Sequence, residues 1–166
     1  MSIDTLKRIG WFLLLLLAQV IVLGRIHLFG VAMPLLYVYF ILQFPSQHPR
    51  WAVLLWGFAM GLSVDCFFNT PGLAAASLTA MAAIQPYYLQ LFVSKAFTEG
   101  LNPSLKTLGY QKYAYYSIPL VLLFCVLFFA LEQFSFFNIT RWLLCTICSA
   151  ALTVVLIFTL EISKKG

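Results

Sequence analysis

Charge is what this sequence has least of. Only 9% of its 166 residues are charged and only five are acidic, whereas 63% are hydrophobic and the mean hydropathy is +0.96. Soluble domains carry roughly 25% charged residues, because their water-facing surface is covered by polar groups. This composition excludes an ordinary soluble enzyme, a secreted disulfide-stabilised domain and a disordered chain. It indicates a polytopic membrane protein with almost no room for a domain outside the membrane.

Catalytic and metal-binding patterns are also scarce. The sequence has no glycine-rich phosphate loop, no HExxH and no serine–histidine–aspartate set, and its two histidines, His27 and His48, fall on opposite sides of the predicted topology. The CxxC at 145–148 has no further zinc ligands nearby, so the cysteines are interpreted as packing residues. We expect no enzyme activity, no metal and no cofactor. A membrane hydrolase that pairs Asp65 with Glu132 is the enzymatic alternative.

Six apolar segments reach or approach the length of a membrane span, which is roughly 17–25 residues. The first two are short, and they form either a tight pair of tilted helices or a partly re-entrant structure. The fold class predicted for the whole chain is therefore all-α, as one integral membrane domain over 1–166. The spans are expected at about 9–23, 29–44, 51–68, 72–93, 113–131 and 142–160.

Basic residues predict the orientation of these spans, because they are enriched in cytoplasmic loops. With both termini in the cytoplasm, eight basic residues lie on the cytoplasmic side and two on the other side. This asymmetry accounts for the net charge of +5 without a nucleic-acid partner. The eight are Lys7, Arg8, Arg50, Lys95, Lys106, Lys112, Lys164 and Lys165, and the two are Arg25 and Arg141.

Small residues define one face of the third predicted span. Gly57, Gly61 and Asp65 are spaced four apart, so they share a helix face. The two glycines allow another helix to approach closely. The fourth span has a small-residue face that includes Ala76 and Ala80, and we expect the two faces to pack together.

Asp65 has two interpretations at the end of the third span. Its carboxylate either contacts a partner or substrate, or caps the turn at 69–72 that precedes the fourth span. Asn69 or Thr70 is expected to cap the helix that begins near Gly72.

The loops on the same side as Asp65 carry mixed charge. Arg25 and His27 lie in the first outer turn, and Glu132 and Arg141 flank the last one. These residues are either ordinary solvated loop residues or a docking surface for a membrane partner. Between Glu132 and Arg141 lies a cluster of three phenylalanines, Phe134, Phe136 and Phe137.

Few polar residues fall within the spans themselves. The glutamines Gln19, Gln85 and Gln90 are the main ones, which argues against an ion-coupled transporter because such proteins place ionisable groups near the membrane midplane. Gln85 precedes Pro86, and its side chain is expected to satisfy a neighbouring backbone group.

The run Gly57-x-x-x-Gly61-x-x-x-Asp65, followed by Asn69-Thr70-Pro71-Gly72, resembles the MreD family of rod shape-determining membrane proteins. The similarity in length and span layout covers nearly the whole chain. The positions that match the family motif are Gly57, Gly61, Asp65 and Gly72. The chain departs from the family pattern in its short first two spans.

This resemblance implies a non-enzymatic scaffold or regulator of the cell-elongation machinery in the cytoplasmic (inner) membrane. It implies binding to MreC, indirect association with MreB, with RodA and with its class-B transpeptidase partner, and support of lateral peptidoglycan synthesis and cell shape. It also implies a six-helix fold similar to the substrate-binding subunits of energy-coupling-factor transporters. The alternative function is that of such a subunit, binding a small ligand such as a vitamin. Membrane lipid is expected as a partner in either case.

Overall fold

The chain folds as a helical bundle. The computed structural model describes residues 3–22, 25, 32–45, 48–92, 102–133 and 138–165. Over these ranges the chain is 85% helical and contains no β-strand. The elements are α1 (Ile3–Leu17), a π-helical turn that continues it (Ala18–Val22), α2 (Val38–Leu42), α3 (Arg50–Phe68), α4 (Leu73–Gln90), α5 (Leu105–Glu132) and α6 (Ile139–Lys165).

Within the described ranges, four helical segments are long and apolar enough to cross a membrane. They are Ile3–Val22, Arg50–Phe68, Leu105–Glu132 and Ile139–Lys164. Large apolar side chains are exposed along all four, and on α3 these include Leu55 and Phe58. Continuous apolar surface of this kind suits contact with lipid tails better than contact with water. The structure is therefore compatible with the predicted multi-pass membrane protein.

Over its described part, 32–44, the second predicted span is not a membrane-spanning helix. The only helix there is the five-residue α2, although the stretch from Leu35 to Phe44 is buried almost throughout. Pro34 supplies a physical reason, because a proline has no N–H to donate and biases the preceding residue away from helical geometry. The expectation of a helix over 29–44 is therefore corrected to an irregular, buried segment, which we call the inner segment (32–44).

The inner segment runs back along α1 in the opposite direction. At one end, the Gln19 side chain in the π-helical turn bonds the backbone of Pro34 and Leu36. At the other end, the guanidinium of Arg8 lies 4.9 Å from the centre of the Phe44 ring. The segment therefore crosses the bundle and returns the chain to the level at which α1 begins.

Several backbone groups in the first half of the inner segment form hydrogen bonds with side chains of other elements. The Gln19 amide donates to the Pro34 carbonyl at 2.8 Å, and its carbonyl oxygen accepts from the Leu36 N–H at 3.0 Å. The Met33 and Leu35 N–H groups donate to the hydroxyls of two α6 residues at 3.0 and 3.1 Å. These residues are Ser149 and Thr153.

The second half is held in the same way from α4 and α5. The Gln85 amide donates to the Phe44 carbonyl at 2.9 Å and to the Tyr116 hydroxyl at 2.8 Å. That hydroxyl in turn donates to the Leu42 carbonyl at 3.1 Å. Gln85 is fully buried, and the prediction that its side chain satisfies a backbone group is confirmed.

The N-terminal end of α1 and the C-terminal end of α6 lie at the same end of the bundle. The Lys164 ammonium lies 4.1 Å from the centre of a Trp11 ring. Glu161 on α6 accepts a hydrogen bond from the Leu105 N–H, where α5 begins. We call this the terminal end of the bundle, and the opposite end, which contains the α3–α4 turn, the distal end.

Helix α5 begins earlier than the predicted fifth span, which was placed at 113–131. It starts at Leu105, behind a capping box in which Ser104 and Thr107 bond each other's backbone N–H groups. Gly109 interrupts the helix with φ 79° and ψ 164°, a conformation that L-residues rarely adopt. The polar residues around this break explain why the sequence predicts a loop there.

Replacing Gln85 by leucine tests the support of the inner segment. The change leaves the Phe44 carbonyl without its side-chain donor in an apolar interior, so we expect a loss of about 1–3 kcal/mol in the free energy of unfolding. Gln90→Leu is the matched control, because Gln90 is exposed on the same helix. Thermal unfolding in detergent measures both, and equal stability of the two variants would contradict the proposed support.

Candidate functional site

The glycines of α3 are in contact with the backbone of α4. A Cβ added to Gly61 would lie 2.4 Å from the Ala75 Cα and 2.7 Å from the Ala74 carbonyl oxygen. A Cβ on Gly57 would lie 3.1 Å from the Ala82 Cβ. The prediction that these glycines permit close helix approach is confirmed, and the helix that approaches is α4 of the same chain.

The face of α4 that contacts the glycines differs in part from the predicted face. Gly61 contacts Ala74 and Ala75, whereas Ala76 is exposed and Ala80 is half-buried. The expected packing of Ala76 and Ala80 against the glycines is therefore corrected. The 3.6-residue period of the helix places Ala76 on a different face from the contact at Ala75.

Asp65 caps α4. Its side chain is only 4% exposed, and both carboxylate oxygens accept hydrogen bonds from the start of the next helix. Oδ1 accepts from the Ala74 N–H at 2.8 Å and from the Thr70 hydroxyl at 2.9 Å, and Oδ2 accepts from the Ala75 N–H at 2.9 Å. Of the two interpretations of Asp65, the structure therefore bears out the cap.

The turn between α3 and α4 differs from the expected cap by Asn69 or Thr70. Asn69 ends α3 in the left-handed conformation, with φ 56°. Gly72 precedes α4 with φ 83°, also left-handed, which glycine adopts without strain. The capping carboxylate thus comes from Asp65, one turn back in α3, and Thr70 contributes by orienting that carboxylate.

The predicted outer-rim residues Arg25, Glu132 and Arg141 are all exposed. None of the three takes part in an ion pair within the described ranges. His27 and the phenylalanine cluster at 134–137 lie outside the described residues. Within the ranges 3–22, 32–45, 48–92, 102–133 and 138–164, no group of three or more His, Cys, Asp or Glu side chains is placed to hold a metal ion.

A cavity of about 760 Å³ opens at the terminal end of the bundle. Its walls come from α1, the C-terminal part of the inner segment, the start of α5 and the end of α6. Trp11, Phe40 and Phe44 supply aromatic surface, and Gln43 and Asn102 supply amides. Its charged lining consists of the cations Lys7, Arg8, Lys106 and Lys164 and the carboxylates Asp4 and Glu161.

Glu161 is the buried charged residue of this cavity, with only 5% of its surface exposed. Its carboxylate accepts a short hydrogen bond from the Tyr39 hydroxyl and one of 3.2 Å from the Leu105 N–H. The same hydroxyl lies 3.5 Å from the ammonium of Lys164. Glu161 therefore joins α6 to the inner segment and to α5, and the lysine stays on the cavity side of this cluster.

His48 lines the cavity beside Arg8, and its ring lies 5.6 Å from the ring of Phe44. Burial lowers the pKa of His48 from its ordinary value of 6.5, and the positive charge of Arg8 lowers it further. Both effects disfavour a second positive charge on the imidazole, so the ring is neutral at pH 7.

Sequence reasoning missed this cavity. Its four cations fit the enrichment of basic residues on the cytoplasmic side of a membrane protein. That enrichment explains them without a ligand site. The sequence signal that could have indicated the cavity is Glu161. This acidic residue lies at the very end of the last apolar run, where a carboxylate is costly unless it is paired.

Replacing Gly61 by alanine tests the contact between α3 and α4. The new methyl group would overlap α4 backbone atoms, so we expect a loss of about 1–3 kcal/mol in the free energy of unfolding. Gly10→Ala is the matched control in α1, because a Cβ there meets nothing within 4 Å. If Gly61→Ala unfolds at the same temperature as Gly10→Ala, the close approach is refuted.

The protonation of His48 is measurable by NMR in a His27→Gln background, which leaves His48 as the sole histidine. We expect its titration midpoint below 6.5, the ordinary histidine value. Arg8→Gln removes a neighbouring positive charge and should move the midpoint upward, whereas Lys112→Gln, a change outside the cavity lining, should leave it in place. A midpoint at 6.5 or above in the parent protein would contradict the burial of the ring.

The described residues thus present two features on which a function can be argued. One is the α3–α4 hairpin held by Gly57, Gly61 and Asp65, and the other is the charged cavity at the terminal end. The chain matches no protein-family model, no curated protein and no solved structure.

Proposed function

We propose that this protein is a non-enzymatic inner-membrane scaffold of the MreD type, which binds MreC and supports lateral peptidoglycan synthesis and rod shape. Its association with MreB, with RodA and with the class-B transpeptidase partner of RodA is indirect, through MreC. In this proposal the protein works by contact between helices, and lipid covers the remaining apolar surface.

The observation that carries this proposal is that the motif residues form one structural unit. Gly61 brings α3 against the α4 backbone, Asp65 accepts the first free N–H groups of α4, and Gly72 supplies the left-handed turn between them. The resemblance to MreD therefore rests on residues that together fix the separation of two helices, which supports it more strongly than scattered small residues would.

The proposed topology has six crossings, with the inner segment as the second. The return of that segment along α1 supports this count, as does the contact between Lys164 and Trp11 at the terminal end. An even number of crossings brings the two ends of the bundle's chain to one side. The basic residues favour the cytoplasm for that side. We further propose that the six crossings are arranged as in the substrate-binding subunits of energy-coupling-factor transporters.

The outer face of α4 is the docking surface that we propose for the transmembrane helix of MreC. Gly57 and Gly61 are occupied by α4 itself, so they are not accessible to a partner. Ala76 and Ala83 are exposed and seven residues apart, and Ala80 lies between them on the same face. Small residues on an outward face allow a second helix to approach closely in the membrane.

Complementation of a depleted strain tests the proposal. Depletion in the native host should produce round or swollen cells, as should depletion of MreC. Ala76→Leu should reduce recovery of MreC in co-purification and give incomplete shape rescue, because a larger side chain holds the partner helix away. Ala151→Leu, on the exposed face of α6, should rescue fully.

Two results would contradict the proposed function. One is normal cell shape after depletion with a growth defect that a single vitamin relieves, which would favour the transporter subunit. The other is unchanged recovery of MreC with every α4 variant at normal protein levels, which would exclude this face as the docking surface.

A further inference from the structure

The cavity at the terminal end has more positive charge than its own carboxylates neutralise. Among the described residues, four cations and two carboxylates line it, and none of these cations forms an ion pair within 4.0 Å with another described residue. The Glu161 carboxylate is occupied by the Tyr39 hydroxyl and the Leu105 N–H. The described lining therefore carries two more positive than negative groups.

Aromatic rings hold two of the cations in place at the cavity wall. The Arg8 guanidinium lies over Phe44, and the Lys164 ammonium lies 4.1 Å from the centre of a Trp11 ring. A cation over the face of an aromatic ring is attracted to the ring, which limits the positions that its side chain adopts. Lys7 and Lys106 are exposed and complete the positive lining from α1 and α5. The basic side chains that an anion would contact are therefore already positioned along the cavity wall.

The volume of the cavity and its remaining polar groups indicate which class of anion it can bind. At about 760 Å³ the space is within the range of ligand sites and much larger than one inorganic anion needs. Asp4, Gln43 and Asn102 add acceptors and amides to the same lining. Such groups bond hydroxyls, whereas the cations bond an anionic phosphate.

We propose that this cavity binds a phosphate ester that carries hydroxyl groups, either as the head group of an anionic lipid or as a free polyol phosphate. The four cations contact the phosphate oxygens, and the carboxylate and amides contact the hydroxyls. This site is separate from the α4 face proposed for MreC, and it does not depend on that proposal.

Binding by the purified full-length protein in a neutral detergent tests the site. The probes are phosphatidylglycerol, phosphatidylcholine as the zwitterionic lipid control, and glycerol 3-phosphate as the free polyol phosphate. Native mass spectrometry gives the dissociation constant, and thermal unfolding gives the stabilisation that a bound ligand produces. We expect phosphatidylglycerol or glycerol 3-phosphate to bind, and phosphatidylcholine to bind at least tenfold more weakly.

Two variants and one control locate the binding. Lys7→Gln combined with Lys106→Gln should weaken binding of the anionic probe about tenfold or more, since charged contacts to phosphate are lost. Lys112→Gln is the matched control, because Lys112 is an exposed lysine of α5 outside the cavity lining. Asn102→Trp fills the cavity from an exposed position without changing charge, and it should also weaken binding.

The outcomes separate the sources and decide the proposal. Loss of phosphatidylglycerol binding in the cavity variants but not in Lys112→Gln supports the lipid source. The same pattern with glycerol 3-phosphate supports the soluble source. The proposal is overturned if neither anion binds, if phosphatidylcholine binds equally well, or if Lys112→Gln loses as much binding as the cavity variants. If the double lysine variant does not fold, unchanged binding by Asn102→Trp overturns it as well.

Discussion

An irregular backbone buried inside an apolar bundle is the constraint on which the rest of this structure depends. The inner segment, 32–44, is buried almost throughout and lacks the continuous hydrogen bonding of a helix, so its unpaired backbone groups need other partners. Some of its N–H and carbonyl groups are bonded within the segment, and others are bonded by side chains from other elements. Gln19, Gln85 and Thr153 supply such bonds, which explains why so apolar a chain has these polar residues in its interior.

The two ends of the bundle each contain a buried carboxylate, but its surroundings differ between them. At the distal end, the Asp65 carboxylate accepts hydrogen bonds from backbone N–H groups of α4, and Gly61 lies in contact with the α4 backbone. At the terminal end, the Glu161 carboxylate also accepts a hydrogen bond from a backbone N–H, that of Leu105, but here four basic residues line a cavity. One end is therefore a closed joint between two helices, and the other is an open, positively charged space.

The class of the protein and its long helices could be predicted from the sequence, because apolar length and the position of prolines and polar turns determine them locally. The contact of Gly61 with α4 followed from the same kind of pattern. The irregular backbone of the inner segment could not be predicted from its apolar residues, since a helix and a buried irregular chain can be equally apolar. The cavity was missed because its charges, from Asp4 to Lys164, are distant in sequence and each has an ordinary local explanation.

The support of the inner segment also has a consequence for biogenesis. Its hydrogen-bonding partners on α6, Ser149 and Thr153, are separated from it by 116 and 118 positions in the chain. The inner segment is thus synthesised long before the hydroxyls that bond it. Until α6 has been synthesised, the Met33 and Leu35 N–H groups lack the hydroxyls that bond them in the folded protein. The hydrogen bonding of the inner segment is therefore completed only after the last helix has been made.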